Sequence, residues 1–339
     1  MKILFIGVFN KPWSTNIPMA QELSRKNHLV KKFDFRELST RFRKLNFIYY
    51  VKIVNFLVKK IDTLYFLPKK LKTVKYFLLG NRSMNKNLFS EVEHNNYDLI
   101  ILAKTNEINY NLIPKLNKYS HTFYYFMDAL SIAINMNADI YAKFSTWSSS
   151  SYTSVYKYFN KKGANSYFLT QGIDTRMFKP SDIVVKKEID VIFVGTFSEK
   201  RERYINFLKK NKINVVCYGN GWNNKPIYLK DLVNKYRIAK VILNFNQEKV
   251  GFSVRVFQVI GTGSFLLSEY CKDLEKIFKK KIHLDWFSNE EECLKLVKYY
   301  LKNEEIREKI ALQGYELILR KYTWEKIMER LIEIVKTDI

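Results

Sequence analysis

The sequence predicts an α/β protein built from two Rossmann-like domains, and three observations carry that reading. The chain has 339 residues, a length that divides into two domains of ordinary size. Short apolar runs alternate with segments of helical pattern along most of it, as in parallel sheets covered by helices. One stretch, Ala239 to Glu269, shows a whole unit. An apolar run at Val241 to Phe245 is followed by a loop, by a helix-like run from Phe252 to Ile260 closed by Gly261 and Gly263, and by a strand-like run from Ser264 to Ser268. This order makes one parallel βαβ unit. Its helix start would present free N–H groups, with Ser253 and Arg255 in the first turn, a setting suited to a diphosphate.

Taken in order, the chain opens on a strand, Lys2 to Phe9, in which Gly7 precedes the loop Asn10-Lys11-Pro12-Trp13-Ser14. A helix from near Ser14 and a strand at Leu29 to Phe35 follow. Ligands of open α/β sheets bind at loops on the carboxyl ends of strands, so Gly7, Phe9 and Asn10 are candidates for acceptor contact. The spacing is not GxGxxG, and a dinucleotide fingerprint is absent. Residues 41 to 90 differ in character. They hold twelve Lys and Arg residues against the single acid Asp62, interleaved with Phe47, Tyr49, Tyr50, Phe56 and their neighbours, and broken at Pro68. Two basic amphipathic helices fit this pattern. They suit a surface lying on anionic lipid, and equally helices packed on the sheet with solvated lysines. Tyr97 to Ala103 reads as a strand, Asn109 to Tyr119 as a helix and His121 to Met127 as a strand ending at Asp128. A carboxylate in that place can serve as a base or as the N-cap of the next helix. Lys143 to Ser150 reads as a strand, Ser151 to Asn160 as a helix and Ser166 to Leu169 as a strand.

Gln171 to Pro180 and the charged run Lys186-Lys187-Glu188 suit a linker. A strand, Ile189 to Val194, then meets the turn Gly195-Thr196-Phe197-Ser198, with Lys200 and Arg201 just beyond it. Asn214 to Tyr218 is a strand with the turn Gly219-Asn220-Gly221-Trp222, and Tyr228 to Arg237 is a helix leading into the βαβ unit. Helices at Leu294 to Leu301, Asn303 to Arg320 and Glu325 to Val335 complete the chain.

At Ser253-Val254-Arg255-Val256-Phe257-Gln258, and then Gly261-Thr262-Gly263-Ser264-Phe265-Leu266-Leu267, the chain resembles the donor-binding segment of GT-B glycosyltransferases. The likeness is to the spore-maturation-protein-like branch near glycosyltransferase family four. Gly172-Ile173-Asp174 through Phe178-Lys179-Pro180 resembles the segment joining the two GT-B domains, and Asp273-Leu274 through Phe278 resembles the family's Asp-Leu-x-x-x-Phe. The resemblance runs from near His121 to the end.

It implies a GT-B fold with its two domains facing a central cleft. Residues 1–172 would form the acceptor domain, with the basic insertion at 41–90. Residues 185–323 would bind the nucleotide sugar, and 324–339 would form a terminal helix returning to the first domain. The implied reaction moves a sugar from a nucleotide diphosphate sugar to an acceptor hydroxyl on a glycan or lipid-linked molecule, with no cofactor and no metal. Arg255, Arg201 and Ser253 would stabilise the leaving diphosphate, and Asp128 would face the acceptor hydroxyl. Gly195, Thr196, Lys200, Asn220 and Asn244 would line the donor, with Gly251, Phe252, Ser253 and Gln258. The chain departs from the family twice: Gln258 stands where a Glu usually meets the donor ribose, and the position of the second Glu falls on Val250.

Composition bounds the rest. Three cysteines, Cys217, Cys271 and Cys293, without CxxC spacing imply neither a disulfide framework nor a zinc site, and fit a reducing compartment. The four histidines form no HxxxH pattern. Met1-Lys2 runs straight into the first strand, so a signal peptide is not expected, and no apolar run approaches the roughly 20 residues that span a bilayer. The formal charge of +25 implies an anionic partner. The expected partners are a nucleotide sugar and the anionic inner face of a membrane, which places the protein in the cytoplasm as a peripheral protein. No nucleic acid is expected, since no helix-turn-helix, zinc-finger or RNP pattern is present. Two rivals remain: a non-catalytic binding protein on the same fold, and an RNA-binding protein driven by charge.

Overall fold

The structure, a computed structural model, describes residues 1–36, 81–103, 105, 107–246 and 249–337. The basic stretch expected at 41–90 lies outside the described residues as far as residue 80. The chain divides into two compact units. The first is Met1–Met127, Ser131–Ser150 and Tyr156–Tyr167; the second is Asp128–Leu130, Ser151–Val155 and Phe168–Ile339.

The first half of the chain runs β1 (Lys2–Gly7), α1 (Asn16–Arg25), β2 (Leu29–Asp34), α2 (Asn81–Glu93) and β3 (Leu99–Ala103). It continues through a 3₁₀ turn (Tyr110–Leu112) into α3 (Ile113–Leu116), β4 (His121–Phe126), α4 (Leu130–Asn135), α5 (Ala138–Phe144), β5 (Trp147–Ser150), α6 (Thr153–Lys161) and β6 (Ser166–Phe168). The strands form one sheet in the order β2-β1-β3-β4-β5-β6, and β1 through β5 pair in parallel. Ile3 to Ile6, Leu99 to Leu102 and Phe123 to Phe126 are wholly buried. Unbroken apolar runs of this kind belong to strands covered on both faces. Two expectations need correction. The strand expected from Lys143 starts only at Trp147, because α5 occupies the residues before it. The helix expected over Asn109 to Tyr119 is a short one: Asn109 accepts the Asn111 N–H and opens the 3₁₀ turn, and α3 ends at Leu116.

The second unit carries β7 (Ile189–Val194), α7 (Glu199–Lys210), β8 (Val215–Tyr218), α8 (Leu229–Arg237), β9 (Ala239–Asn244), α9 (Arg255–Gly261) and β10 (Leu266–Glu269). After these come α10 (Leu274–Ile277), β11 (Asp285–Phe287), α11 (Glu290–Lys302), α12 (Glu304–Lys321) and α13 (Trp324–Thr337). Its sheet is parallel, in the order β11-β10-β9-β7-β8. Val191, Phe193, Tyr204, Leu243, Phe245 and Phe287 lie in its apolar core. The order matters for function, because it sets the carboxyl ends of β7, β9 and β10 side by side. Helix α7 begins against that edge: the Ser198 hydroxyl accepts the Arg201 N–H, and Glu199 and Glu202 occupy the first turn, which satisfies the helix start and its dipole.

The entry to this unit is pinned. Arg237 donates to the carbonyl of Lys179 at 2.6 and 3.1 Å and to that of Pro180 at 3.1 Å. The terminal helix α13 groups with the second unit rather than the first. Trp324 N–H donates to the Ile173 carbonyl, and a Cβ on Gly172 would lie 2.8 Å from the Trp324 nitrogen, so that glycine admits the helix. Among the described residues no helix is long and apolar enough to cross a membrane.

Candidate functional site

Three cations converge on the carboxyl edge of the second sheet. Arg255, half-buried at the start of α9, donates Nη1 to Asn244 Oδ1 at 3.0 Å. Its guanidinium lies 5.5 Å from the centre of the Phe193 ring. Arg201, in the first turn of α7, lies 5.4 Å from the same ring. It donates to the Thr196 carbonyl at 2.5 Å and the Phe245 carbonyl at 3.4 Å. Neither guanidinium makes an ion pair with a carboxylate among the described residues. Burial, and after it the repulsion from Arg255, brings Arg201 down to about 10, with Glu269 opposing the shift. Arg255 is lowered by burial too. Two like charges are thus held together with only neutral acceptors, and an anion is what would complete them.

The turn after β7 is built to let them approach. Gly195 has no room for a side chain: a Cβ there would come 2.7 Å from Arg255 Nη2 and 2.9 Å from the Phe193 ring. The turn is stapled to the one after β8. Gly195 N–H donates to the Tyr218 carbonyl and Phe197 N–H to the Asn220 carbonyl, each at 2.8 Å, while the Trp222 indole N–H donates to the Gly195 carbonyl at 2.9 Å. Thr196 and Asn220 are exposed at this rim. Ser253 lies two residues before Arg255, and its hydroxyl is buried with no hydrogen-bond partner among the described residues.

A second set of contacts, which the sequence reading missed, ties this edge together. Lys200 Nζ pairs with Glu269 Oε1 at 2.5 Å and also donates to the Asn246 carbonyl at 3.3 Å. The other Glu269 oxygen accepts the Asn246 N–H at 3.0 Å, and the Asn246 side chain donates to the Glu269 carbonyl at 2.6 Å. Asn244 then donates to Asn246 Oδ1 and Ser268 Oγ, both at 3.0 Å. A continuous chain of contacts therefore runs from Lys200 through Glu269, Asn246 and Asn244 to Arg255. A carboxylate at the end of an apolar strand, Leu266 to Glu269, was the signal that could have revealed it.

The structure therefore brings together Gly195, Thr196, Lys200, Arg201, Asn244, Ser253 and Arg255. It gives other candidates different work. Phe252 is buried against Phe257 and Phe278, with ring centres 5.5 and 6.0 Å away, so its role is packing. Gly251 has φ +86°, and a Cβ there would overlap the Tyr152 ring at 1.8 Å; the glycine admits that ring rather than a phosphate. Helix α9 begins at Arg255, not at Phe252, and is seven residues long. The phosphate-binding capacity here is thus in the side chains rather than in a helix end. Gln258 sits half-buried in the second turn of α9. Asp128 lies between the end of β4 and the start of α4, in the part of the chain that groups with the second unit.

In the first unit, the space beside Gly7 is filled by Asn16, whose Oδ1 would lie 2.8 Å from a Cβ. Asp34 takes the N–H groups of Phe9 and Asn10, both at 2.7 Å. The backbone donors of Phe9 and Asn10 are thus occupied internally, and the side chain of Asn10 stays exposed. Among the described residues, no group of three His, Cys, Asp or Glu could hold a metal ion.

Residues 200–333, which contain most of this edge, match a family model described as glycosyl transferase-like. No curated sequence matches the chain. Solved structures do match it along nearly its whole length. HepE from Anabaena, crystallised with UDP-glucose, has a TM-score of 0.69 at 12% identity, covering 99% of this chain and 100% of that one. Sucrose-phosphate synthase from Thermosynechococcus elongatus gives 0.69 at 10% identity, with 99% and 98% covered. A DNA-modifying β-glucosyltransferase gives 0.59 at 17% identity, with 99% of each chain covered. The fold is GT-B. In open α/β sheets the carboxyl ends of the strands are where ligands bind, and the two arginines that lack an ion pair among the described residues lie at such an end.

Proposed function

We propose that the protein is a glycosyltransferase that moves a sugar from a nucleotide diphosphate sugar to an acceptor hydroxyl. The observation that carries this reading is the pair Arg201 and Arg255, set over one Phe193 ring and, among the described residues, in no ion pair with a carboxylate. A pre-organised pair of guanidiniums offers forked donors to the diphosphate, and stabilising the leaving group is the main electrostatic task of such a transfer. Ser253 adds a buried hydroxyl with no other partner among the described residues. The glycosyl transferase-like match over residues 200–333 supports the same reading. So does the likeness to a structure crystallised with UDP-glucose. The Ser253-x-Arg255-x-Phe257 run favours the spore-maturation-protein-like branch, and Asp128 is our candidate to face the acceptor hydroxyl. The acceptor we favour is a glycan or lipid-linked molecule at an anionic membrane surface, in keeping with the +25 charge.

The test is thermal unfolding of the purified protein with UDP, GDP, ADP and TDP, beside Arg255→Ala. A ligand present at about 100 times its dissociation constant adds roughly 2.7 kcal/mol to the folded state. One nucleotide should raise the midpoint in the native protein and fail to do so in the variant; hydrolysis of the matching sugar donor then follows. No shift with any nucleotide would remove the transferase reading.

A further inference from the structure

The cations of this edge differ in how their charge is met. Among the described residues, Arg201 and Arg255 bond only neutral acceptors. Lys200 alone holds a carboxylate, Glu269, at 2.5 Å. The two ends of that pair are not equivalent. The Glu269 side chain is 14% exposed and accepts the Asn246 N–H, and its backbone carbonyl takes the Asn246 side chain, whereas the Lys200 side chain is 42% exposed. The carboxylate is the anchored partner, and the lysine is the one free to turn.

Resting on the glycosyl transfer proposed above, we propose that Glu269 is a positioning residue that holds Lys200 in reserve for the leaving diphosphate. A nucleotide diphosphate sugar arrives with one negative charge on each phosphate, which the two unpaired guanidiniums match. During transfer the bond from the anomeric carbon to the β-phosphate oxygen breaks, and its electron pair stays on that oxygen. The acceptor oxygen bonds the anomeric carbon, and the acceptor proton passes to a base or to water. The terminal phosphate left behind carries close to two charges at neutral pH, so one charge appears that the donor did not have. Lys200 can meet it by leaving Glu269. An interaction that grows only as the charge develops lowers the barrier, whereas one made equally with the donor would merely tighten binding. Glu269 withholds the lysine from the donor and takes it back as the nucleotide leaves.

Calorimetric titration of the full chain separates this arrangement from a merely structural one, using the nucleoside diphosphate that binds and its matching sugar donor. Glu269→Gln should bind the nucleoside diphosphate about tenfold more tightly, a difference of about 1.4 kcal/mol. In donor hydrolysis it should lower kcat and KM together, the pattern of an interaction moved into the ground state. Lys200→Met should weaken the nucleoside diphosphate about tenfold, and by more than it weakens the sugar donor. The double variant should match Lys200→Met, and Glu269→Asp should restore the native ratio. Weaker binding of both ligands by Glu269→Gln would make the residue structural and overturn the inference alone. A native protein that binds no nucleoside diphosphate would overturn it together with the transferase reading. Should Glu269→Gln fail to fold, Lys200→Met decides, and an unchanged nucleoside diphosphate affinity there rejects the idea.

Discussion

The two parallel sheets each place a glycine turn after a central strand, and the chain furnishes the two turns in opposite ways. After β1, Asn16 fills the space beside Gly7 and caps the Val8 N–H at 2.9 Å, and Asp34 takes the next two N–H groups. After β7, the space beside Gly195 faces the Arg255 guanidinium, with Arg201 on the same edge. The first turn is completed by a carboxylate from its own unit; the second is lined by two arginines that, among the described residues, make no ion pair, its nearby carboxylate Glu269 being held by Lys200. Similar backbone geometry therefore does not mark a similar site. What decides is whether the donors already have acceptors and whether the charges already have partners.

The largest expected effect breaks the second turn alone. Arg255→Ala should weaken nucleoside diphosphate binding at least 100-fold by calorimetry. It should leave the unliganded melting temperature unchanged or raised, because it removes a desolvated charge that lacks a carboxylate partner. Next, Asp34→Asn should act only on the first turn. It takes a charged acceptor from two backbone donors and should cost about 1–3 kcal/mol in urea unfolding, with nucleotide affinity unaltered. Gly195→Ala sharpens the contrast. Its methyl group would push against Arg255 and Phe193, and about tenfold of nucleotide affinity should be lost, while Gly7→Ala, pressed against Asn16, should reduce stability alone. The smallest effect belongs to Asn244→Ala, which frees Arg255 from one neutral acceptor and should weaken the nucleotide only several-fold, by about 1 kcal/mol.

Much of this architecture was legible in the chain, for physical reasons. A parallel strand buried on both faces is an unbroken apolar run, and Ile3 to Ile6 or Val241 to Leu243 can hardly be read otherwise. The pairing of Arg255 with the Gly195 turn was legible only through a resemblance to a family, since local pattern carries no record of it. The start of α9 was misread because Phe252 looks like a helical residue, yet it is drawn into the aromatic cluster of Phe257 and Phe278. The short strand Asp285–Phe287 went unseen because three residues are too few to show a period. Of the Lys200, Glu269 and Asn246 ring, only Glu269 carried a signal, as the carboxylate that ends a strand. Lys200 and Asn246 lie 46 positions apart, and nothing in either neighbourhood marks them as partners.

Trp222 staples the two turns together, its indole N–H bonded to the carbonyl of Gly195. That bond also makes it an optical reporter. The indole bonds the carbonyl of the glycine whose open side faces Arg255, so a charged ligand arriving at the arginines alters the field across the ring and the strength of its hydrogen bond. Emission from this tryptophan should therefore follow occupancy in real time, without a label, and Trp222→Phe would silence the signal while leaving the arginines in place.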